Sequence, residues 1–110
     1  MSVSYLVRYQ GSASDPQALV DYYSQQHARI LQRFPAIQGL TLHTPLSCTD
    51  PFPTSPGGVA LLAQMVFESP ADLNAALQSD ARAEAREDFS NFPKFQGDVL
   101  HQAMQAEKIF

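Results

Sequence analysis

Prolines divide this chain into short segments and so limit where helices can form. Pro16 follows Asp15, and Pro70 follows Ser69, which is the order of a helix N-cap and the first helical residue. The first helix is predicted from Asp15 to about Arg33, because the next proline pushes the residue before it out of the helical region. A second helical region is predicted to begin after Ser69.

The second helical region has an internal break. Leu73, Ala76 and Leu77 form its apolar stripe, and Asp80 then has the position of a second N-cap before the alanine-rich run ARAEAREDF. We expect the region to be broken or bent near Ser79.

Four segments have the composition or the alternation of β-strands. In one of them Leu40 and Leu42 alternate with more polar residues, so His43 is predicted to point away from the two leucines. Another, VALLAQMVF, is a nearly continuous apolar run, which is typical of a central strand covered on both faces. The four predicted strands are residues 3–9, 37–44, 59–67 and about 97–107.

The order of elements, β-α-β-β-α-β, is that of ferredoxin-like domains. Such a domain is an α+β fold with a four-stranded antiparallel sheet and both helices on one face. A length of 110 residues fits one domain covering residues 1–110. Between the second and third strands, residues 45–58 hold four prolines and two glycines, so they form a long loop that is either a lid or a plain surface connection.

One sheet face is left bare in this topology, and the surface is weakly charged. Apolar residues make up 45% of the chain and charged residues 16%. We expect a second copy to cover the bare face in a homodimer, whose sheets pack face to face. The alternative is a monomer whose bare face is lined by polar residues such as Gln64, Gln102 and Gln105, which could also line a wet barrel interior.

Charge and cysteine content exclude several classes of partner. The net charge of −4, with no cluster of basic residues, argues against nucleic acid and anionic membranes. Cys48 is the single cysteine and has none to pair with, which favours a reducing, cytoplasmic setting. We find neither a signal peptide in MSVSYLVRY nor an apolar segment long enough to span a bilayer.

The first helix carries an aromatic residue and a histidine on its buried face. Spacing of three and four residues places Leu19, Tyr23, His27, Ile30 and Phe34 on one stripe. Tyr23 and His27 are therefore polar side chains one helical turn apart on an otherwise apolar stripe. Their presence there is explained either by hydrogen-bond partners in the core or by a role in function.

Two longer stretches resemble the EthD family, named for ethyl tert-butyl ether degradation. DPQALVDYYSQQHARILQRFPAIQGL resembles its first signature, and FESPADLNAALQSDARAEAREDFSNF resembles its second. The resemblance implies a dimeric α+β barrel, and the activities of related proteins range from lactone isomerases and polyketide cyclases to small monooxygenases. Two departures concern the pocket mouth: FPAIQG replaces the usual Pro-Gly turn, and the 45–58 segment has no fixed family counterpart.

His27 and Tyr23 are the predicted catalytic residues, in a cleft between the first helix and the sheet. A histidine can act as general acid and base near neutral pH, and a tyrosine hydroxyl can orient a carbonyl group. The alternative is that His27 only donates a hydrogen bond to a backbone carbonyl in the core. Asp88 lies at the end of the second helix, where a carboxylate opposes the helix dipole, so a specific partner such as His27 is expected unless capping or solvent exposure explains it.

Further predicted substrate-binding residues surround this pair. They are Tyr22, His43, Asp88, Phe89 and Phe92. His101 is a weaker candidate on the same strand face as Val99 and Ala103. The histidine spacings fit no metal motif and no nucleotide or flavin motif is present, so we predict neither a metal nor a cofactor.

Two functions follow as hypotheses. The first is a cofactor-free enzyme of the isomerase, cyclase or lyase type, acting on a small hydrophobic carbonyl or lactone compound, with the 45–58 loop closing over the pocket. The second is a non-catalytic ligand-binding or accessory protein that sequesters a pathway intermediate. Oxidation with dioxygen, as in a monooxygenase, stays open as a less favoured alternative that no residue supports.

Overall fold

A computed structural model describes residues 2–55 and 57–110 of the chain. It contains the predicted order of strands and helices, and the chain adopts the ferredoxin-like α+β fold. The strands are β1 (Ser2–Ala13), β2 (Gly39–His43), β3 (Val59–Phe67) and β4 (Phe95–Ala106).

The first helical region is not one regular α-helix. It consists of α1 (Pro16–Tyr22), a π-helical turn (Tyr23–His27) and α2 (Ala28–Leu31). Asp15 caps it as predicted, since its side chain accepts a hydrogen bond from the backbone N–H of Ala18. A π-turn contains one more residue than the α-helical pattern assumes, so the predicted uninterrupted helix is wrong at its centre.

The second helical region is broken as predicted, but by a different cap. It consists of α3 (Pro70–Leu77), α4 (Asp80–Glu87) and a 3₁₀ turn (Asp88–Asn91). Ser79, not Asp80, is the N-cap of α4, because the Ser79 hydroxyl accepts the N–H of Arg82 at 3.3 Å. The break is where we expected it, and the residue that makes it is one position earlier.

The sheet has the strand order β2-β3-β1-β4, with every neighbouring pair antiparallel. Alternate residues of β1 and β3 face the helices and form the core, which matches the period of two along a strand. These buried residues are Val3, Tyr5, Val7, Tyr9, Leu61, Ala63, Met65 and Phe67.

The other sheet face, which we call the open face, has no helix against it. Residues of β3 on this face are half-buried rather than buried, so the prediction that β3 is covered on both faces is not met within one chain. Leu100 and Met104 of β4 are 41% and 47% exposed there. A concave region of about 580 Å³ lies on this face, lined among others by Leu6, Arg8 and Leu62.

The turn FPAIQG places Ala36 in a left-handed backbone conformation, with φ of 61°. Glycine adopts such a conformation without strain, and the Pro-Gly of the family signature would supply one. None of the helices in the described part of the chain is long and apolar enough to cross a membrane.

Candidate functional site

The π-helical turn brings three predicted site residues onto one side of the first helical region. Tyr22, Tyr23 and His27 would be spread over a wider arc in a regular α-helix, and the extra residue of the turn moves Tyr22 toward the side of His27. The Ser24 hydroxyl donates to the backbone carbonyl of Val20 at 2.9 Å, a bond that competes with regular helix bonding here. π-turns of this kind are frequent at functional sites.

His27 is paired with Asp88, which comes from the other helical region. His27 is 3% exposed, and its Nδ1 lies 2.8 Å from Oδ2 of Asp88. We assign the proton to Nδ1, which donates to the carboxylate. The expected partner of Asp88 is therefore His27, and the alternative in which His27 is satisfied by a backbone carbonyl is wrong.

Asp88 accepts two further hydrogen bonds. The Tyr22 hydroxyl donates to Oδ1 at 2.7 Å, and Nδ2 of Asn91 donates to the same oxygen at 3.1 Å. Three donors offset the unfavourable position of a carboxylate after the C-terminal end of α4.

These contacts determine the charge state of the pair. Burial alone would raise the pKa of Asp88, but the hydrogen bonds from Tyr22, His27 and Asn91 lower it below its ordinary value. Burial lowers the pKa of His27, and the neighbouring carboxylate only partly opposes this. Near neutral pH the carboxylate is thus ionised and the imidazole neutral, with Nε2 left as the ring atom that can accept a proton.

Aromatic rings enclose His27. The ring centroids of Tyr23, Phe89 and Phe92 lie 5.0, 5.7 and 4.8 Å from that of His27. Burial raises the pKa of the Tyr23 hydroxyl, so this group stays protonated and can donate. The structure brings together six of the seven predicted site residues: Tyr22, Tyr23, His27, Asp88, Phe89 and Phe92.

Tyr9 is a member of this cluster that we did not predict. It is 1% exposed, stacks on Phe92 at 6.0 Å and meets Tyr23 edge to face. Within the described residues its hydroxyl has no hydrogen-bond partner, although buried polar groups normally do. The signal in the sequence is its place on β1, at the end of an inward-facing row with Val7 and Tyr5.

A cavity of about 20 Å³ lies between the helices and the sheet beside these residues. Its inner wall includes Tyr9, Tyr23 and His27, and its outer wall includes Arg82, Arg86 and His101. This cavity lies where the cleft was predicted, but it has room for only about one water molecule. A larger ligand requires movement between α4 and β4.

His43 does not join the site, which corrects the sequence-based assignment. It points to the open face, as the alternation with Leu40 and Leu42 required, and its Nε2 lies 3.2 Å from Oε1 of Gln64. The 45–58 loop is also misassigned as a lid over His27. Thr44, Pro45 and Val59, at its two ends, line the open-face concavity, and no described loop residue lines the His27 cavity.

Among residues 2–55 and 57–110, no group of three or more His, Cys, Asp or Glu side chains is placed to hold a metal ion. Cys48 is free and exposed in the 45–58 loop.

Comparison with known proteins identifies one family and several solved structures that share the fold. The EthD domain matches residues 12–96, and no curated protein sequence matches the chain. The crystal structure of an EthD family protein from Bacillus halodurans superimposes with a TM-score of 0.76 at 18% identity, covering 97% of this chain and 100% of that one.

Two enzymes share the fold at similarly low identity. A hydroxynitrile lyase from Passiflora edulis gives a TM-score of 0.68 at 15% identity, over 99% of this chain and 96% of that one. A monooxygenase from Streptomyces coelicolor, solved with nanaomycin D, gives 0.66 at 19%, over 99% and 89%. Identities this low show a shared fold and nothing finer.

Proposed function

The chain belongs to the EthD family, and on that premise we propose that it is a cofactor-free enzyme that moves a proton on a small hydrophobic carbonyl or lactone compound. The observation that carries the proposal is the buried pair of His27 and Asp88, joined at 2.8 Å beside a cavity. A neutral imidazole oriented by a carboxylate is a suitable general base.

His27 removes a proton from the carbon next to the substrate carbonyl. The proton passes to Nε2, and the electrons of the C–H bond form the enolate, whose charge rests on the carbonyl oxygen. The imidazolium that results is stabilised by ionised Asp88, and it returns the proton to the same or another carbon of the substrate. Tyr23 donates a hydrogen bond to the carbonyl oxygen and so orients the substrate.

The surroundings of the pair suit this chemistry. Phe89 and Phe92 offer apolar walls to a hydrophobic ligand, and the low exposure of His27 strengthens its interaction with Asp88. Cytoplasmic location remains part of the proposal, based on the single free cysteine.

The test uses ligand-observed NMR with a panel of cyclic ketones, β-keto esters and unsaturated lactones. Compounds that bind are then incubated with the protein in D₂O, and deuterium at the carbon next to the carbonyl is followed. An enzyme of this class incorporates deuterium into a compound that it binds. A protein that binds panel members and exchanges none of them is the sequestering protein of the second hypothesis.

We also propose a homodimer in which two open faces pack together. Leu100 and Met104 are exposed on this face beside half-buried Leu6 and Leu62. Together these side chains form a contiguous apolar patch, whereas exposed apolar residues on a monomer are usually scattered singly. Sedimentation equilibrium at micromolar protein should give twice the chain mass of 12.1 kDa. Met104→Glu should shift the protein toward the monomer, because two carboxylates would be buried in the interface. A monomer mass for the unchanged protein contradicts the dimer.

A further inference from the structure

Two arginines and a histidine surround the outer end of the His27 cavity. Arg82 and Arg86 lie one turn apart on α4, and His101 lies on β4 opposite them. Beyond His101, the helix-facing residues Ala103 and Gln105 of β4 are exposed, so the helical layer does not cover the outer half of this strand. We call Arg82, Arg86 and His101 the mouth.

The mouth has positive charge that the described residues leave uncompensated. By contrast, Arg33 forms an ion pair at 2.7 Å with Glu84, which lies on α4 between the two arginines of the mouth. Neither Arg82 nor Arg86 has an ion pair or a side-chain hydrogen bond within residues 2–55 and 57–110. The Arg82 guanidinium lies 5.7 Å from the ring centroid of Tyr5, which holds it at the sheet.

The two arginines act electrostatically on His101, which lines the cavity. Burial lowers the pKa of His101, and the charges of Arg82 and Arg86 lower it further. His101 also lies 5.9 Å from Tyr5, between centroids, so the ring that holds Arg82 borders the histidine too. A neutral His101 beside two guanidinium groups can donate or accept a hydrogen bond, whereas the arginines only donate.

The inner end of the same cavity carries an independent indication of a ligand. Tyr9 is buried, lines the cavity and has a hydroxyl without a partner among the described residues. Burial raises the pKa of this hydroxyl, so it remains a donor. A buried donor of this kind needs an acceptor, which a water molecule in the cavity can supply in the free protein and a ligand oxygen can supply in its place.

We propose that the substrate carries a carboxylate, which Arg82 and Arg86 bind at the mouth, while the substrate carbonyl oxygen inside accepts a hydrogen bond from Tyr9 in addition to the one from Tyr23. This inference rests on the proposed function, since it names the substrate class of the same site. It narrows that class from small hydrophobic carbonyl compounds to keto acids and carboxylated lactones.

The chemistry of the mouth favours a carboxylate over larger anions. The planar guanidinium fork matches the two oxygens of a carboxylate, and residues four apart on a helix are neighbours that can share one anion. Once α4 and β4 move apart, the aromatic cavity behind the mouth can enclose an apolar body, but its described lining residues offer a multiply charged anion no arginine or lysine beyond the two arginines of the mouth.

Binding of 4-oxo-4-phenylbutanoate and of its uncharged primary amide tests the proposal, by NMR titration of the full chain at low salt. The acid should bind about tenfold more tightly than the amide, as expected for one or two charge-assisted hydrogen bonds at a partly exposed site. Arg82→Gln and Arg86→Gln should each reduce this preference, and the double variant should abolish it. Arg86→Lys should retain part of it, because the charge remains.

Arg29→Gln is the matched control, since Arg29 is exposed on α2 and does not line the His27 cavity, and the substitution removes the same positive charge. It should keep the full preference for the acid. Equal affinity for acid and amide, failure of the acid to bind, or a preference that survives in the double variant would overturn the inference.

The experiments distinguish failure of the enzyme proposal from failure of the carboxylate proposal. If the mouth inference is wrong but the enzyme proposal is right, uncharged ketones still exchange deuterium. If the enzyme proposal is wrong but the mouth inference is right, no compound exchanges, while the acid-over-amide preference and its loss in the arginine variants remain.

Discussion

His27→Gln should reduce deuterium incorporation by about 10²–10⁴-fold, the range that general acid–base catalysis contributes. Glutamine has a similar size and can still donate to Asp88, but it has no atom that accepts a proton near neutral pH. The affinity for the ligand should change by only a few-fold, because the aromatic walls remain. Exchange rates and dissociation constants, both from NMR, check the two parts of this prediction.

Arg29→Gln is the control, because it introduces glutamine at an exposed position of the same helical region. It should leave the rate of deuterium exchange unchanged. Circular dichroism establishes that both variants fold. The expected loss is much larger than about threefold. If the deuterium-exchange rate of His27→Gln stays within about threefold of that of the unchanged protein, His27 is not the catalytic base. Unchanged binding, with no exchange in either protein, would support the sequestering role.

Gly11→Ala should reduce the free energy of unfolding by about 4 kcal/mol, the sum of a strained backbone and an overpacked contact. Gly11 and Gly97 face each other across β1 and β4, each with φ of 149°. A Cβ on Gly11 would lie 2.2 Å from the backbone oxygen of Gln96 and 2.8 Å from Cα of Gly97. Backbone atoms of a paired strand cannot move aside without loss of sheet hydrogen bonds.

Gly57→Ala is the control, since a Cβ there meets no atom within 4 Å. Its unfolding free energy should stay within about 0.5 kcal/mol of the unchanged protein. Urea denaturation at one fixed protein concentration compares the three proteins, because dimerisation would make stability depend on concentration. Equal stability of Gly11→Ala and Gly57→Ala would mean that the two strands do not approach as closely as described.

Local signals in the sequence were sufficient to predict the fold. Pro16 and Pro70 mark the helix starts, and β3 coincides with its apolar run, because each feature depends on neighbours in sequence. The π-turn at Tyr23–His27 was missed, because the predicted stripe assumed regular α-helical spacing. The extra residue makes Leu31, rather than the predicted Ile30, the buried residue that follows His27.

The site was predictable only in part. Asp88 could be matched with His27 because a carboxylate at a helix C-terminus needs a partner, although 61 residues separate the two. Tyr9, Arg82 and His101 reach the cavity from three different elements, and only the packing of α4 against the sheet brings them together. His43 was assigned to the site despite a strand alternation that placed it on the opposite face.

The protonation state of His27 tests the central claim most directly. Long-range ¹H–¹⁵N NMR of the imidazole ring, recorded from about pH 4 to 8, identifies the protonated nitrogen and the pKa. We expect the Nδ1–H form at neutral pH, with a pKa below the ordinary value of about 6.5, so that Nε2 is free to act as a base. A charged imidazolium at neutral pH, or a proton on Nε2, would contradict the account.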